Sequence, residues 1–137
     1  MKRMEQNYNI IKWREIMKKL PDAELEVMQA IWHCTSPVMR KDIEAIIQQK
    51  HPMAVTTLLT LLTRLSDKEF IKIEKHGRSS CYIPLIRKEE YLAKQSNRFI
   101  HQLCEGNMSV FANALCDGGL SKEEIKELRM LLEKGEL

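Results

Sequence analysis

The stretch MAVTTLLTLLTRL at residues 53–65, together with the change of pattern that follows it, constrains the fold more than any other feature. Wound at about 100° per residue, the stretch places its apolar side chains on one face of a helix. These side chains are Leu58, Leu61, Leu62 and Leu65, joined by Ala54 and Val55 at the start. From Phe70 onward apolar and polar residues alternate as in a strand, and Gly77 supplies the freedom that a hairpin tip needs. A leucine-faced helix that leads into a two-stranded hairpin is therefore predicted.

Two further helical patterns precede this helix. Asp22 begins the segment DAELEVMQAIWH, and the segment MRKDIEAIIQQ follows Pro37, each with its apolar residues on one side. Three helices followed by a hairpin is the order of a winged helix-turn-helix domain. We therefore predict a mainly α protein with a small β hairpin, in which residues 21–87 form an N-terminal winged helix-turn-helix domain.

Residues 88–137 carry three more amphipathic helical patterns, which are too few to build a comfortable core of their own. Such helices usually pack against a second copy of the chain, so we predict a C-terminal helical dimerisation arm and a homodimer. The residues expected at this contact are Leu92, Phe99, Leu103, Phe111, Leu115, Ile125, Leu128 and Leu132. The first three are predicted to form one stripe on a single helix that closes at Gly106. Residues 1–20 are predicted to be a basic amphipathic extension that ends before Pro21.

The composition is that of a soluble globular protein. The 137 residues are 44% hydrophobic and 30% charged. The basic first residues are not followed by a continuous hydrophobic run, so we expect no secretory signal there. No apolar run approaches the roughly 20 residues that span a bilayer, so we expect a cytoplasmic protein without stable membrane association. The four cysteines are widely spaced and lack a C-x-x-C pair, which indicates reduced thiols. Residues 1–87 hold 15 Lys/Arg against 10 Asp/Glu, whereas residues 88–137 hold 7 against 9, so the basic front is expected to meet a polyanion.

The face of the predicted helix opposite its leucines carries Thr56, Thr57, Thr60, Thr63 and Arg64. Threonine is short enough to let a helix backbone approach a DNA groove, and its hydroxyl and methyl groups suit phosphates, base edges and thymine methyls. An arginine fork matches guanine edges or phosphate oxygens. The alternative is a helix that merely exposes small polar residues to water. Because this is the third helix and directly precedes a hairpin, its position favours a DNA-recognition helix.

The predicted hairpin tip is basic, with Lys75, His76 and Arg78 around Gly77. A basic wing of this kind contacts the sugar-phosphate backbone or the minor groove of DNA. A short basic turn in solvent is the alternative interpretation. Taken together with the threonine face, the tip predicts double-stranded DNA as the partner.

No arrangement for catalysis or metal binding stands out. The sequence contains no glycine-rich phosphate loop, no nucleophile with a paired base and no carboxylate pair placed for acid–base chemistry, so we predict that the chain is not an enzyme. His101 and Cys104 are three residues apart, but two ligands fall short of the three or four that zinc needs. We therefore predict neither a metal nor another cofactor.

Several segments resemble the BlaI/MecI/CopY family of bacterial repressors. They are LPDAELEVMQAIW in the first core helix, TTLLTLLTRLSDKEFIKIEKHGRSSCYIPLIRKEEY across the third helix and the hairpin, and LCEGNMSVFANAL and LSKEEIKELRMLL near the C-terminus. The resemblance covers about residues 20–134. It implies a homodimeric repressor on a palindromic operator, with the threonine face in the groove, the basic tip as the wing contact and the C-terminal helices holding the subunits together.

The penicillinase branch of that family implies a route to induction. There a membrane sensor of β-lactam antibiotics triggers proteolysis in the dimerisation region, after an asparagine that precedes a phenylalanine. Here the nearest asparagine is Asn113, followed by Ala114, so these residues are the candidate cleavage site and a sensor-linked protease is an expected partner. The C-x-C cluster of the copper-responsive branch is absent from the tail, and Glu69 stands where many members carry glycine.

Two alternative functions remain open at this point. One is a repressor of the same fold that answers a redox cue or a small ligand, which operator release by an oxidant would distinguish. The other is a winged-helix adaptor that docks protein partners, and such a protein would bind no duplex in a salt-sensitive manner.

Overall fold

Six α-helices and a three-stranded sheet account for most of residues 19–135, the part of the chain that this computed structural model describes. The helices are α1 (Asp22–His33), α2 (Arg40–Lys50), α3 (Val55–Asp67), α4 (Lys88–Arg98), α5 (Met108–Asp117) and α6 (Lys122–Lys134). The strands are β1 (Val38–Met39), β2 (Ile71–His76) and β3 (Ser79–Pro84). The described residues up to Lys94 form one compact unit, and those from Gln95 onward form a second. The extension predicted at residues 1–20 lies almost wholly outside the described residues.

The first unit is built around α1, α2 and α3, whose apolar faces meet in one core. Helix α1 contributes Val27, Met28 and Ile31, whose spacing places them on one helical face and whose side chains are at most 1% exposed. Helix α2 contributes Ile43 and Ile47, and α3 contributes four of its five leucines. Because the buried faces follow the predicted helical period, the predicted order of three helices before a hairpin is confirmed.

The hairpin is joined by a third strand that the sequence did not predict. Strands β2 and β3 pair antiparallel, with Ile71 opposite Pro84, and β1 adds to the other edge of β3, with Val38 opposite Tyr82. The order in the sheet is therefore β1–β3–β2. A two-residue strand is too short to show alternation in a sequence, so its existence depends on tertiary pairing.

A Schellman motif ends α3 and turns the chain into β2. The Glu69 N–H donates to the Ser66 carbonyl at 3.0 Å, and the Phe70 N–H donates to the Leu65 carbonyl at 2.9 Å. The motif needs a left-handed residue, and Glu69 occupies that position with a φ of 62°. Left-handed backbone favours glycine, so the Cβ atom of Glu69 is disfavoured at this position. Phe70 and Leu65 are both fully buried, so the turn is held against the core.

Tyr91 attaches the start of α4 to the first unit. Its ring centroid lies 5.7 Å from that of Trp32 and 5.8 Å from that of Phe70, and its hydroxyl accepts a hydrogen bond from the Leu20 N–H at 3.0 Å. Aromatic pairs at such distances add to the free energy gained by burial. These contacts make the start of α4, up to Lys94, part of the first compact unit.

The second unit exposes most of its apolar side chains. A π-helical segment, Phe99–Leu103, follows α4, and the Cys104 N–H donates to the Phe99 carbonyl at 3.2 Å. Because a π turn holds more residues than an α turn, it interrupts the regular α-helical stripe predicted up to Leu103. Phe99 packs edge-to-face on Phe111 with 6.0 Å between ring centroids. Within residues 19–135, no helix combines the length and the apolar character that crossing a bilayer requires.

Candidate nucleic-acid interface

The leucine-rich back of α3 anchors the helix. All four leucines of this buried face are at most 5% exposed. The prediction that Ala54 and Val55 join this face is wrong, since both are exposed. Ala54 is the extended N-cap residue of α3 and Val55 is its first residue, so both precede the packed turns. The buried leucines therefore fix the position of α3 and the direction that its other side chains face.

All five α3 residues predicted to contact DNA are exposed on the outer face of the helix. They are Thr56, Thr57, Thr60, Thr63 and Arg64. Two of the threonines use their hydroxyl protons within the helix: Thr60 donates to the Thr56 carbonyl at 2.9 Å, and Thr63 donates to the Leu59 carbonyl at 3.0 Å. A hydroxyl that bonds the carbonyl four residues earlier is satisfied inside the helix, which is how threonine is accommodated away from a cap.

The hairpin between β2 and β3 carries the predicted wing residues at its tip. Lys75 and His76 end β2, Gly77 and Arg78 form a two-residue loop, and all four are exposed. Gly77 has a φ of 66° whereas Arg78 keeps a negative φ, which is the pattern of a type II′ turn. The turn therefore places three basic side chains in solvent at one end of the hairpin.

Glu74, an acidic residue that the sequence pattern did not single out, lies beside two basic side chains of the hairpin. Glu74 Oε1 is 2.9 Å from Lys72 Nζ, and Glu74 Oε2 is 3.6 Å from His76 Nε2. The hydrogen bond from Lys72 holds the pKa of the Glu74 carboxyl below its ordinary value. The ionised carboxylate therefore offsets part of the positive charge of the hairpin at neutral pH.

A cleft of about 380 Å³ connects α2, α3 and the wing. Its lining residues are Met39, Arg40, Lys41, Glu44, Leu59, Arg78, Ser79, Ser80 and Tyr82. Arg40 Nε lies 3.2 Å from Glu44 Oε1, and burial raises the pKa of the Tyr82 phenol, which keeps its proton at neutral pH. Arg40 and Lys41 were not singled out from the sequence, although two adjacent cations at the start of the helix before the predicted recognition helix were a usable signal. The cleft places one flank of α3 and the wing on a single basic surface.

A charge pair connects the C-terminal end of α3 to α1. Glu24 is 2% exposed, and its Oε1 accepts a hydrogen bond from Lys68 Nζ at 2.7 Å. A carboxylate this deeply buried needs a partner because it has lost most of its hydration. The pair therefore couples the orientation of α3 to α1.

The residues predicted for dimerisation are exposed or half-buried in the single chain. Leu103 is 72% exposed and Leu132 is 60% exposed. A groove of about 340 Å³ on α6 is lined by Ile125, Leu128, Arg129, Leu132 and Glu133. Asn113 and Ala114, the candidate cleavage residues, are exposed in the middle of α5. Among the described residues, no three His, Cys, Asp or Glu side chains are grouped so as to hold a metal ion.

Similarity to known proteins decides the family. The model of the penicillinase repressor family matches residues 20–134. The chain belongs to the penicillinase repressor family. The penicillinase repressor of Bacillus licheniformis is 34% identical over 122 residues, which cover 86% of this chain and 94% of that relative. The methicillin resistance regulatory protein MecI of Staphylococcus aureus strain N315 is 34% identical over 117 residues, which cover 85% of this chain and 94% of that relative.

A solved structure also matches this member of the penicillinase repressor family. It is the solution structure of the monomeric form of Bacillus licheniformis BlaI in complex with the blaP half-operator, with a TM-score of 0.46, 31% sequence identity, and coverage of 55% of this chain and 90% of that chain. The family is one of repressors, which confirms the resemblance drawn from the sequence segments. Membership of a repressor family also confirms the prediction that the chain is not an enzyme.

Proposed function

We propose that this member of the penicillinase repressor family is a DNA-binding transcriptional repressor that binds a palindromic operator as a homodimer. The observation that carries the proposal is the outer face of α3, where four threonines and Arg64 stand on a buried leucine back beside a basic wing. The arginine fork matches guanine edges in the major groove, and threonine suits both hydrogen-bonding and apolar groups there. Helix α3 is therefore assigned to sequence recognition.

The phosphate contacts are assigned to the basic side chains that flank α3. The wing supplies Lys75, His76 and Arg78, and the cleft adds Arg40 and Lys41 from the start of α2. Phosphate contacts position a protein on the duplex without regard to sequence, so these residues contribute affinity while the α3 face contributes specificity. Neutralised phosphates release counterions, and the affinity is expected to fall steeply with salt.

The proposed organisation is a winged helix domain in residues 21–87 followed by a dimerisation region in residues 88–137. Support comes from the apolar side chains that the second unit leaves in solvent, because burying each of them against a second copy contributes free energy. Replacing Leu132 with aspartate is expected to give a monomer in analytical sedimentation. Glu127→Lys, on the opposite side of α6, is the control and is expected to stay dimeric. A dimeric L132D protein would contradict the assignment.

Induction is proposed to occur through cleavage in the dimerisation region by a sensor-linked protease, with the Asn113–Ala114 bond as the candidate. Proteases bind their substrates in an extended conformation, so α5 has to open before cleavage. No residue of α5 is buried, and a helix without buried residues opens locally at little cost. Loss of the dimer removes the gain in effective concentration that two tethered half-site binders share. The regulated genes in this proposal confer β-lactam resistance, in keeping with the names of the relatives.

Selection of duplexes from a random-sequence pool by the full chain tests the proposed function. The expected result is enrichment of an inverted repeat, bound by one dimer, with a logarithmic salt slope of roughly −4 or steeper for five or more phosphate contacts. A pool that gives no enriched sequence, or binding that does not respond to salt, would overturn the proposal. The alternative function, a winged-helix adaptor that docks protein partners, predicts that no duplex is bound in a salt-sensitive manner.

A further inference from the structure

The hydroxyl groups of Thr60 and Thr63 are already committed within α3. Each donates its proton to a carbonyl of the preceding turn, at 2.9 Å to Thr56 and 3.0 Å to Leu59. A hydroxyl has one proton to donate, although its oxygen keeps lone pairs with which to accept. Phosphate oxygens and the guanine O6 and N7 atoms are acceptors only. Thr60 and Thr63 therefore cannot bind these groups as donors while they keep their helical hydrogen bonds.

The methyl groups of these two threonines are what remains for an apolar contact. A threonine has two γ substituents in staggered positions, and when the oxygen lies against the preceding turn the methyl takes a different position. Both residues are exposed on the outer face of α3. The face opposite the buried leucines therefore presents methyl groups as well as polar ones.

Thr56 and Thr57 differ from this pair because they lie in the first turn of α3. The residues four positions earlier are Pro52 and Met53, which precede the helix, so no helical carbonyl is available to their hydroxyls. Within the part of the chain that the structure describes, neither hydroxyl has a hydrogen-bond partner. These two threonines are thus free to donate, whereas Thr60 and Thr63 are not.

Exposed aliphatic side chains continue the methyl groups along the same flank of the helix. Val55 is 47% exposed and Leu59 is 38% exposed, and with Thr63 they follow the i, i+4, i+8 spacing of one helical edge. Covering these exposed aliphatic side chains with an apolar group is favourable, because it removes apolar surface from water. In the major groove, the apolar group that distinguishes one base from the others is the C5 methyl of thymine.

We propose that Thr60 and Thr63 recognise thymine through methyl–methyl contact, whereas Thr56, Thr57 and Arg64 supply the hydrogen bonds to phosphates and base edges. The proposal rests on the proposed function and deepens it, since it names which bases the middle of α3 selects. It divides four chemically identical side chains into two classes by their place in the helix. The apolar edge formed by Val55 and Leu59 borders the methyl class.

The test uses the full chain and the duplex that it enriches from a random pool, made once with thymine and once with deoxyuridine in place of thymine. Loss of one buried methyl group corresponds to a roughly fourfold loss of affinity, from about 0.8 kcal/mol for one buried methyl-sized group. Wild-type protein is therefore expected to bind the deoxyuridine duplex at least about fourfold more weakly per contacted thymine. Single-position deoxyuridine substitutions locate the contacted bases.

Paired substitutions at one residue separate the methyl group from the hydroxyl. Thr60→Val keeps a methyl and is expected to stay within about twofold of wild type, whereas Thr60→Ser lacks the methyl and is expected to lose about fourfold on the thymine duplex. On the deoxyuridine duplex Thr60→Ser is expected to match wild type, because the partner methyl is already gone. Thr57→Val is the reverse control, and its loss of a free donor is expected to weaken binding.

The outcomes distinguish this proposal from the proposed function. Enrichment of a sequence by wild-type protein, with equal affinity for the thymine and deoxyuridine duplexes, would overturn methyl recognition and leave the repressor assignment intact. Strong loss in Thr60→Val with none in Thr60→Ser would mean that the hydroxyl of Thr60 makes the contact, which also overturns the proposal. Absence of any enriched sequence would overturn both. Circular dichroism of each variant checks that α3 remains folded.

Discussion

Replacing Glu69 with glycine is expected to stabilise the first unit. Glu69 is the left-handed residue of the Schellman motif after α3, with a φ of 62°. A side chain at such a position costs about 1–2 kcal/mol, and glycine removes this cost. Glycine in turn costs roughly 0.5–1 kcal/mol because it has more conformational freedom in the unfolded chain. The difference predicts that Glu69→Gly raises the free energy of unfolding by about 0.5–1 kcal/mol.

Two variants control for other effects of the change. Glu69→Ala removes the carboxylate but keeps the Cβ atom, so its stability is expected to match wild type. Asp67→Gly places a glycine in the last turn of α3, where the backbone is helical, and is expected to lose about 0.5 kcal/mol. A rise in Glu69→Gly alone therefore reports the left-handed backbone and not the lost charge or a general effect of glycine.

Thermal unfolding followed by circular dichroism measures the difference, at one fixed chain concentration because subunit association also shifts the midpoint. For a unit of this size, 0.5–1 kcal/mol corresponds to an increase in Tm of about 2–8 °C. Equal midpoints for Glu69→Gly and Glu69→Ala would refute the reasoning, since the two variants differ in the Cβ atom that the left-handed backbone disfavours. A fall in Tm for Glu69→Gly would refute it as well.

Three further outcomes follow from the charge pairs and the aromatic cluster. Glu24→Gln replaces the buried charge that accepts from Lys68 and is expected to cost about 1–2 kcal/mol in urea unfolding, whereas unchanged stability would show that the pair contributes nothing. Glu74→Gln removes the carboxylate that pairs with Lys72 and lies near His76, and it is expected to raise DNA affinity roughly twofold to fivefold in fluorescence anisotropy. The pKa of the Glu74 carboxyl is lowered in the folded protein, so the stability contributed by its pair with Lys72 is fully present above the ordinary glutamate pKa and is lost as the pH falls through the lowered pKa. The difference in DNA affinity between Glu74→Gln and wild type is expected to disappear over the same pH range. A difference in affinity that does not change with pH would contradict this expectation. Tyr91→Phe leaves the buried Leu20 N–H without its acceptor and is expected to cost about 1–3 kcal/mol, a loss that an unchanged midpoint would exclude.

Helix α3 was predictable because its buried leucines recur at helical spacing, and the face of a side chain is set by its position in the helix. The alternation of residue types correctly predicted strand β2, but its burial does not alternate, since Ile71 is buried whereas Ile73 is 37% exposed. Strand β1 was missed because two residues cannot show a period and because its pairing partner lies in β3, far along the chain. Val55 was misplaced because periodicity does not reveal where the packing neighbours of a helix end.

The candidate site was predictable as a set of residue types and not as a set of contacts. Arg64 and the basic tip were visible because charge and spacing are printed in the sequence. The hydrogen bonds of the Thr60 and Thr63 hydroxyls depend on side-chain rotamers, and the contacts of Glu74 with Lys72 and His76 depend on the geometry of the hairpin. The place of Arg40 at the cleft depends on how α2 meets the wing. These features depend on side-chain conformation and on tertiary packing, which patterns in the sequence do not predict.

The outer face of α3 is proposed to recognise base sequence. The most direct test of this proposal compares the affinity for the enriched duplex with that for a scrambled duplex, in wild type and in Arg64→Ala, at one salt concentration. Lys88→Ala is the control, since it removes a cation from the start of α4, which belongs to neither α3 nor the wing. Arg64→Ala is expected to lower the ratio of the two affinities by about tenfold or more, whereas Lys88→Ala is expected to leave it unchanged. If Arg64→Ala keeps the wild-type ratio, α3 does not read the base sequence through Arg64.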